Sequence, residues 1–245
     1  MSNFPTNSRI IFIACFALLL SIVIPIEESL SQRIKANYDP GKKFDIRISG
    51  GLASLRMSRL NERTRAFYEK EINSAYEFNG EFGYFLTPKT SVNVGLLYLE
   101  SRRLQAEGNF IIENGRDYSV SASMISPYCL IRYFFPMTNV NYYLSCGQAL
   151  CFGNMDYYYQ IPGSFHTYYF GRSYTAIGVG FLSSAGAYYR IRHFFSLGGE
   201  IGYRYLSTAD LENEGGDTLS TLSGNNNINL DFSGFYISGG ISFRL

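Results

Sequence analysis

The sequence predicts an all-β fold, an eight-stranded antiparallel up-and-down transmembrane β-barrel, from two patterns and their order in the chain. Between Phe235 and Leu245 every second residue is apolar or glycine, and the residues between them are mostly polar. This period of two belongs to a strand with one apolar and one polar face. Similar alternation recurs upstream, behind an apolar N-terminal segment typical of export signals. In a membrane barrel the apolar face meets lipid and the polar face meets the lumen.

The N-terminal segment has the features of a secretory signal. Arg9 precedes an apolar run over residues 10–26, and small residues at Ser29 and Ser31 suit cleavage before Gln32. An uncleaved anchor helix is the alternative interpretation. We therefore expect three parts in chain order: a signal peptide at 1–31, a short N-terminal linker at 32–42 and an outer-membrane β-barrel domain at 43–245.

Composition narrows the class of protein. The chain has 21 Lys and Arg against 20 Asp and Glu, and its net charge of +1 excludes the basic footprint of a nucleic-acid-binding protein. No helix-length apolar run follows the signal, so any membrane crossing must be made by strands. The 21 Tyr and 20 Phe suit the aromatic girdles of a membrane barrel.

The connections between the predicted strands alternate in length. Thr87–Thr90, Pro136–Asn139 and Arg192–Phe194 are short, whereas 58–73 and 207–227 are long and polar. Short turns at one end and long loops at the other are typical of outer-membrane barrels. We expect the last strand to pair with the first, because an unpaired edge cannot face lipid. The eight predicted strands cover residues 43–56, 74–86, 92–113, 116–135, 140–161, 164–191, 195–207 and 228–245.

Strands three to six are longer than the ~10 residues that a crossing needs, so we expect them to extend into a raised extracellular ribbon. Asn114-Gly115 and Pro162-Gly163 are turn signals at the corners of this ribbon. A corner at residues 162 and 163 predicts that Gly147 lies opposite Gly178 in the adjoining strand.

Pro127 lies where the apolar face of the fourth strand changes parity, from 118–124 to 129–133, which predicts a bulge. With a turn at 136–139, the resulting register places Cys129 directly opposite Cys146 on the lipid face. We expect adjacent free thiols there, and a strained disulfide is the alternative. Cys151 has the opposite parity and is expected on the other face.

Charged residues on the polar faces are expected inside the barrel or near an interface, because an Arg at the lipid midplane costs roughly 2–4 kcal/mol. Buried charges need partners, so Glu77, Glu81 and Glu200 are expected to pair with neighbouring arginines in a side-chain-filled polar lumen. The full set is Arg47, Glu77, Glu81, Arg132, Arg190, Glu200, Arg204 and Arg244.

Together with the meander of eight runs and the terminal strand, the glycine-aromatic patch Gly199–Tyr205 resembles the small outer-membrane β-barrel family that includes OmpX and the barrel domain of OmpA. The resemblance implies a place in the outer membrane of a Gram-negative-type bacterium, in contact with its lipids and lipopolysaccharide. It also implies that barrel-assembly machinery reads the terminal strand, which usually ends in Phe; here Leu245 is last and Phe243 stands two before it. The sequence does not determine the oligomeric state, with a monomer favoured.

The sequence offers little for catalysis, and we expect no catalytic, cofactor-binding or metal-binding residues. Ser164 and His166 near the ribbon corner have no evident acid partner, and His193 lies in a short turn. The acidic residues of the last loop fit no Ca²⁺-binding spacing; they are Asp210, Glu212, Glu214 and Asp217.

Two classes of function remain. The first is a non-enzymatic surface, structural or adhesion-type protein that acts through its ribbon and loops, toward an extracellular ligand or surface. A cluster of aromatic residues in the ribbon supports it: Tyr157, Tyr158, Tyr159, Phe165, Tyr168, Tyr169 and Phe170. The alternative is a lipid A-modifying barrel enzyme or a small-solute channel.

Overall fold

A computed structural model describes residues 43–62, 71–101, 104–106, 117–136, 139–162, 167–220 and 227–245. The expected signal peptide and linker, at 1–42, and the Asn114-Gly115 corner lie outside this part of the chain. Within it the chain is almost entirely β-structure, with helical residues at 58–62. No helix in the described ranges combines the length and the apolar character needed to span a membrane.

Ten strands in the described residues form one antiparallel sheet. Eight of them are long and correspond to the eight predicted runs. The two three-residue strands fall inside the predicted runs 92–113 and 228–245, and each extends the pairing of a longer neighbour: β4 follows β3 along β5, and β9 precedes β10 along β8. The strands are β1 (Phe44–Ser54), β2 (Ser74–Thr87), β3 (Thr90–Ser101), β4 (Leu104–Ala106), β5 (Asp117–Pro136), β6 (Val140–Pro162), β7 (Thr167–Arg192), β8 (Phe195–Asp210), β9 (Asn229–Asp231) and β10 (Gly234–Arg244).

Each long strand pairs with two others. Consecutive long strands are neighbours, and β10 pairs both with β8 and with β1, for example Gly239 with Gly199 and with Gly50. The predicted pairing of the last strand with the first is therefore confirmed. Two-residue turns at 88–89 and 193–194 lie at one end of the sheet, which we name the turn end. The other end, with the longer connections, is the loop end.

Alternate side chains point to an exposed and a buried face of the sheet, as predicted for β2, β7, β8 and β10. Along β2, Phe78 is 61% exposed whereas Glu77 is 3% exposed. Along β10, Phe235 is 72% exposed and Ser238 only 5%. On these four strands the apolar residues that sequence analysis assigned to lipid are thus on the exposed face, and the assigned polar residues are on the buried one.

The exposed face carries an apolar band that covers about ten residues of most long strands, the length of a membrane-crossing strand. Toward the loop end the exposed-face positions become polar on several neighbouring strands, so the band has a defined edge. The change occurs between Leu52 and Ser54, Ile125 and Ser123, Phe152 and Asn154, Ile177 and Thr175, and Tyr205 and Ser207.

The predicted corner at Pro162-Gly163 is wrong. Gly147 lies opposite Leu182, not Gly178, and the ladder continues until Pro162 pairs with Thr167. Four residues, 163–166, connect β6 to β7, and they lie outside the described residues. The register differs from the predicted one by an even number of residues, so every side chain keeps its predicted face.

The predicted opposition of Cys129 and Cys146 is also wrong. Cys129 pairs with Gln148, and Cys146 pairs with Ile131, because Pro136 pairs with Asn141 and the connection is two residues longer than a tight turn. Cys129, Cys146 and Cys151 are free thiols. Cys151 is buried and Cys129 exposed, which confirms their placement on opposite faces.

The bulge predicted at Pro127 is absent from β5. The register of β5 against β3 is unbroken through Pro127, and its register against β6 is the same on both sides of residues 126 and 127. Proline removes a ladder hydrogen bond without inserting an extra residue. Consequently the faces do not switch, and Met124 and Leu130 are both buried.

Candidate functional site

The buried face near the turn end holds four charged side chains that we name the ionic cluster: Asp45, Arg47, Glu81 and Arg132. Arg47 donates from Nε to Asp45 Oδ2 at 2.7 Å, and its Nη1 lies 3.7 Å from Glu81 Oε1. Arg132 forms a forked pair with Glu81, from Nη1 to Oε1 and from Nη2 to Oε2 at 3.1 Å. Each of the four side chains is at most 5% exposed, so the charges neutralise one another away from solvent.

Aromatic rings complete this layer. The guanidinium carbon of Arg47, on β1, lies 4.4 Å from the ring centre of Tyr188 on β7 and 5.2 Å from that of Tyr143 on β6. Arg132 lies 4.6 Å from the Tyr143 ring, and these cation–π contacts add to the ion pairs. Because β1 and β6 are four strands apart in the order of pairing, one side chain bridges the buried face from side to side.

A second ion pair lies nearer the loop end. Arg204 donates from Nη1 to Glu77 Oε2 at 2.5 Å and from Nε to the carbonyl of Phe232 at 3.2 Å. Both charged side chains are almost fully buried. The prediction that Glu77 and Glu81 pair with arginines is therefore confirmed.

The prediction for Glu200 is half right. Its side chain points to the buried face, but no arginine in the described residues is within ion-pair distance of it. Instead it accepts hydrogen bonds from Tyr143 Oη at 2.6 Å, Tyr236 Oη at 3.0 Å and Ser184 Oγ at 3.4 Å. Hydroxyl donors satisfy a carboxylate without a counter-charge, and sequence charge alone does not reveal them.

Glycines make room for the buried tyrosines. Tyr128, Tyr143, Tyr188 and Tyr236 each pair with a glycine on the neighbouring strand, in the order Gly95, Gly186, Gly198 and Gly202. At every one of these glycines an added Cβ would collide with the paired tyrosine ring. The sequence shows that these glycines lie on the inward face of their strands. Only the strand register shows that each one lies opposite a tyrosine.

Near the loop end the same buried face is apolar, and we name this part the loop-end core. It joins strand residues such as Leu99 and Met124 to residues of the connections, such as Met57 and Phe232, all at most 1% exposed. The prediction of a polar lumen is therefore wrong for the loop-end half of the buried face. The apolar residues of β5 that suggested a switched face point into this core.

The structure describes only some of the candidates weighed for catalysis or metal binding. Ser164 and His166 lie outside the described residues, and His193 is exposed in a turn-end connection. Asp210 accepts a hydrogen bond from Asn227, and Asp217 is held in a turn by Asn213. No group of three or more His, Cys, Asp or Glu in the described part of the chain could hold a metal ion.

Of the ribbon aromatics, Phe165 lies outside the described residues. Tyr157 packs partly buried against the loop-end core instead of standing free. For Tyr158, Tyr159, Tyr168, Tyr169 and Phe170 the strand placement is described, on β6 and β7. The predicted contact surface therefore stays a prediction.

Comparison with solved structures assigns the fold. A major outer membrane protein from Thermus thermophilus aligns with a TM-score of 0.52 and 13% identity, over 83% of this chain and 99% of that chain. The chain has the fold of the small outer-membrane β-barrel proteins. OprG from Pseudomonas aeruginosa aligns at a TM-score of 0.47 and 14% identity, over 83% of this chain and 97% of that one. Neisserial surface protein A aligns at 0.40 and 14%, over 82% and 97%.

Neither protein-family models nor curated protein sequences match the chain. The similarity is therefore one of outer-membrane barrel architecture. The sequence identities are too low to assign a role to any residue.

Proposed function

We propose that this protein is a non-enzymatic outer-membrane barrel, closed by the β10–β1 pairing, that acts at the cell surface through its loop end. The apolar band supports insertion in a membrane, because its length on most long strands matches a bilayer crossing. The pairing of every long strand on both sides supports closure, since lipid offers no partners for a free edge. Residues 1–31 would then direct export, and the barrel-assembly machinery would insert the chain among outer-membrane lipids and lipopolysaccharide.

The observation that carries a non-conducting role is the contact of Arg47 with rings on the far side of the buried face. A pore would have to pass this layer and then the loop-end core, in which Leu211, Leu219 and Ile228 from the last connection are buried. An eight-stranded barrel leaves an interior that side chains just fill. Both layers favour a plug over a channel.

Planar-bilayer recording tests the plug directly. The purified protein should give no steady channels under conditions in which a general porin, as the positive control, conducts. Stable openings from the wild-type protein would favour the small-solute channel instead.

The proposed role at the cell surface is supported by the lengths of β5, β6 and β7, which have 20, 23 and 26 residues. A crossing needs only ~10, so roughly half of each strand lies beyond the band. Its exposed face there is polar: Ser173 donates from Oγ to Asp156 Oδ1 at 2.7 Å. We propose that this raised ribbon presents the binding or shielding surface.

A shortened ribbon tests this role. Asp156 and Ser173 are paired, so an Asn-Gly turn can replace residues 157–172 while the remaining ladder is kept. Cells that display the shortened protein should lose attachment to host-cell or matrix surfaces, while the heat-modifiable gel shift of the folded barrel persists. Unchanged attachment would remove the ribbon from the function, and lipid A hydrolysis by the intact protein would favour the enzyme.

A further inference from the structure

The apolar band is interrupted at its middle by one amide side chain, Gln148. The exposed-face positions of β6 across the band are otherwise aromatic, aliphatic or cysteine: Tyr142, Leu144, Cys146, Leu150 and Phe152. Gln148 is exposed, and among the described residues it has no hydrogen-bond partner. The other polar side chain of the band that is neither aromatic nor a thiol, Ser183, is satisfied by the Tyr203 carbonyl at 3.2 Å.

Small side chains border this amide on one side. Cys129 lies directly opposite Gln148 on β5, and on β7 Ser183 and Ala185 lie opposite Cys146 and Leu144, whereas Phe181 lies directly opposite Gln148. The result is an area of smaller side chains within the band. We name Cys129, Cys146, Gln148, Ser183 and Ala185 the Gln148 patch. Small residues at such a surface allow two membrane proteins to approach closely.

We propose that two copies of the chain associate in the membrane through the Gln148 patch, with the Gln148 amides paired across a twofold axis. An amide that faces hydrocarbon without a partner is unfavourable, so an occupant that hydrogen-bonds to it is favoured. A second copy inserted in the same direction brings its own Gln148 to the same depth. An amide both donates and accepts, so two of them are complementary, as an isologous interface requires.

This dimer rests on the proposed membrane insertion, and it replaces the monomer that the sequence favoured. The test therefore begins by establishing insertion, through flotation with lipid vesicles and the heat-modifiable gel shift. A protein that fails there contradicts the proposed function; one that passes can be assayed for association.

Association is measured by energy transfer between copies labelled at the N-terminus, over a range of protein-to-lipid ratios. Wild-type protein should associate, and Gln148→Leu should weaken association about tenfold, the scale of one polar contact between membrane segments. Ile48→Val, in the band on β1 at the other side of the sheet, is the matched control and should associate as the wild type does.

The native thiols locate the interface. A bis-maleimide that spans about two strand spacings, ~10 Å, should link Cys129 to Cys129 of the second copy in the wild type and in Ile48→Val, but not in Gln148→Leu. An inserted wild type that stays monomeric at every ratio would overturn the proposal. So would a Gln148→Leu variant that associates as strongly as the wild type, or a dimer whose Cys129 residues do not cross-link.

Discussion

The loop-end core and the ionic cluster fill one buried face by different chemistry. At the loop end, connections long enough to fold inward contribute Met57, Leu60 and Phe232, and these exclude water beside the strands. At the turn end, a two-residue turn such as 193–194 is too short to place side chains in the interior. Strand residues alone must therefore fill it. There arginines, carboxylates and rings are held together by ion pairs and cation–π contacts. Removal of one partner should therefore matter more at the turn end, and loss of volume more at the loop end.

The largest effect should come from breaking the ion pair between the two regions. Arg204→Leu would leave Glu77 buried without its counter-charge and free the Phe232 carbonyl. The loss of one partner of a buried pair costs about 3–5 kcal/mol. The free energy of unfolding, from urea titration in lipid vesicles followed by circular dichroism, should fall by that amount.

The double variant Glu77→Leu with Arg204→Leu is the control. Replacement of both charges by apolar groups of similar volume is often neutral, so it should regain most of the loss. A double variant as unstable as Arg204→Leu would show that the packing of the arginine, and not the unpaired carboxylate, sets the cost.

Within the loop-end core, stability should depend on volume and not on particular partners. Leu99 is 0% exposed, and Leu99→Ala would leave a cavity at a cost of about 3 kcal/mol. Leu99→Met conserves volume and should cost less than about 1.5 kcal/mol. The same titration ranks the two, and an equal loss for both would contradict a tolerant apolar core.

The glycine–tyrosine pairs at the turn end should resist even one added methyl group. At Gly186 a Cβ would collide with Tyr143, whose hydroxyl binds Glu200, so Gly186→Ala should destabilise by about 1–3 kcal/mol. Gly80 is the matched control, because a Cβ there meets nothing within 4 Å. Gly80→Ala should stay within about 0.5 kcal/mol in the same assay.

Alternation predicted the faces of the strands well, because membrane and interior select opposite residue types at a period of two. The registers were harder. Residues 163–166 separate β6 from β7 and residues 137–139 separate β5 from β6, whereas turn residues such as Pro162-Gly163 suggested shorter connections. A register error of two or four positions keeps every face, so the pattern alone could not reveal it.

The charged half of the interior was predictable and the apolar half was not. Glu77 and Glu81 could be assigned to the buried face because a charge in lipid is costly. Val120 and Met124 gave no such signal, since an apolar side chain suits either face. Only the position of the inward-folding connections decides that these residues pack inside, and no local pattern encodes it.

The smallest effect should mark where the loop-end core stops. Leu211 and Leu219 are buried in it, but the turn between them is exposed. There Asn213 Oδ1 accepts hydrogen bonds from the backbone N–H groups of Gly215 and Asp217, each at 2.9 Å.

Asn213→Ala should change the free energy of unfolding by less than about 0.5 kcal/mol, because the turn buries no apolar surface. Hydrogen exchange of those two amides should nevertheless accelerate, while the Leu219 amide, bonded to the Leu211 carbonyl at 2.9 Å, keeps its protection. Faster exchange at the Leu219 amide would show that the loop-end core depends on the Asn213 turn. The edge of the core would then include this turn.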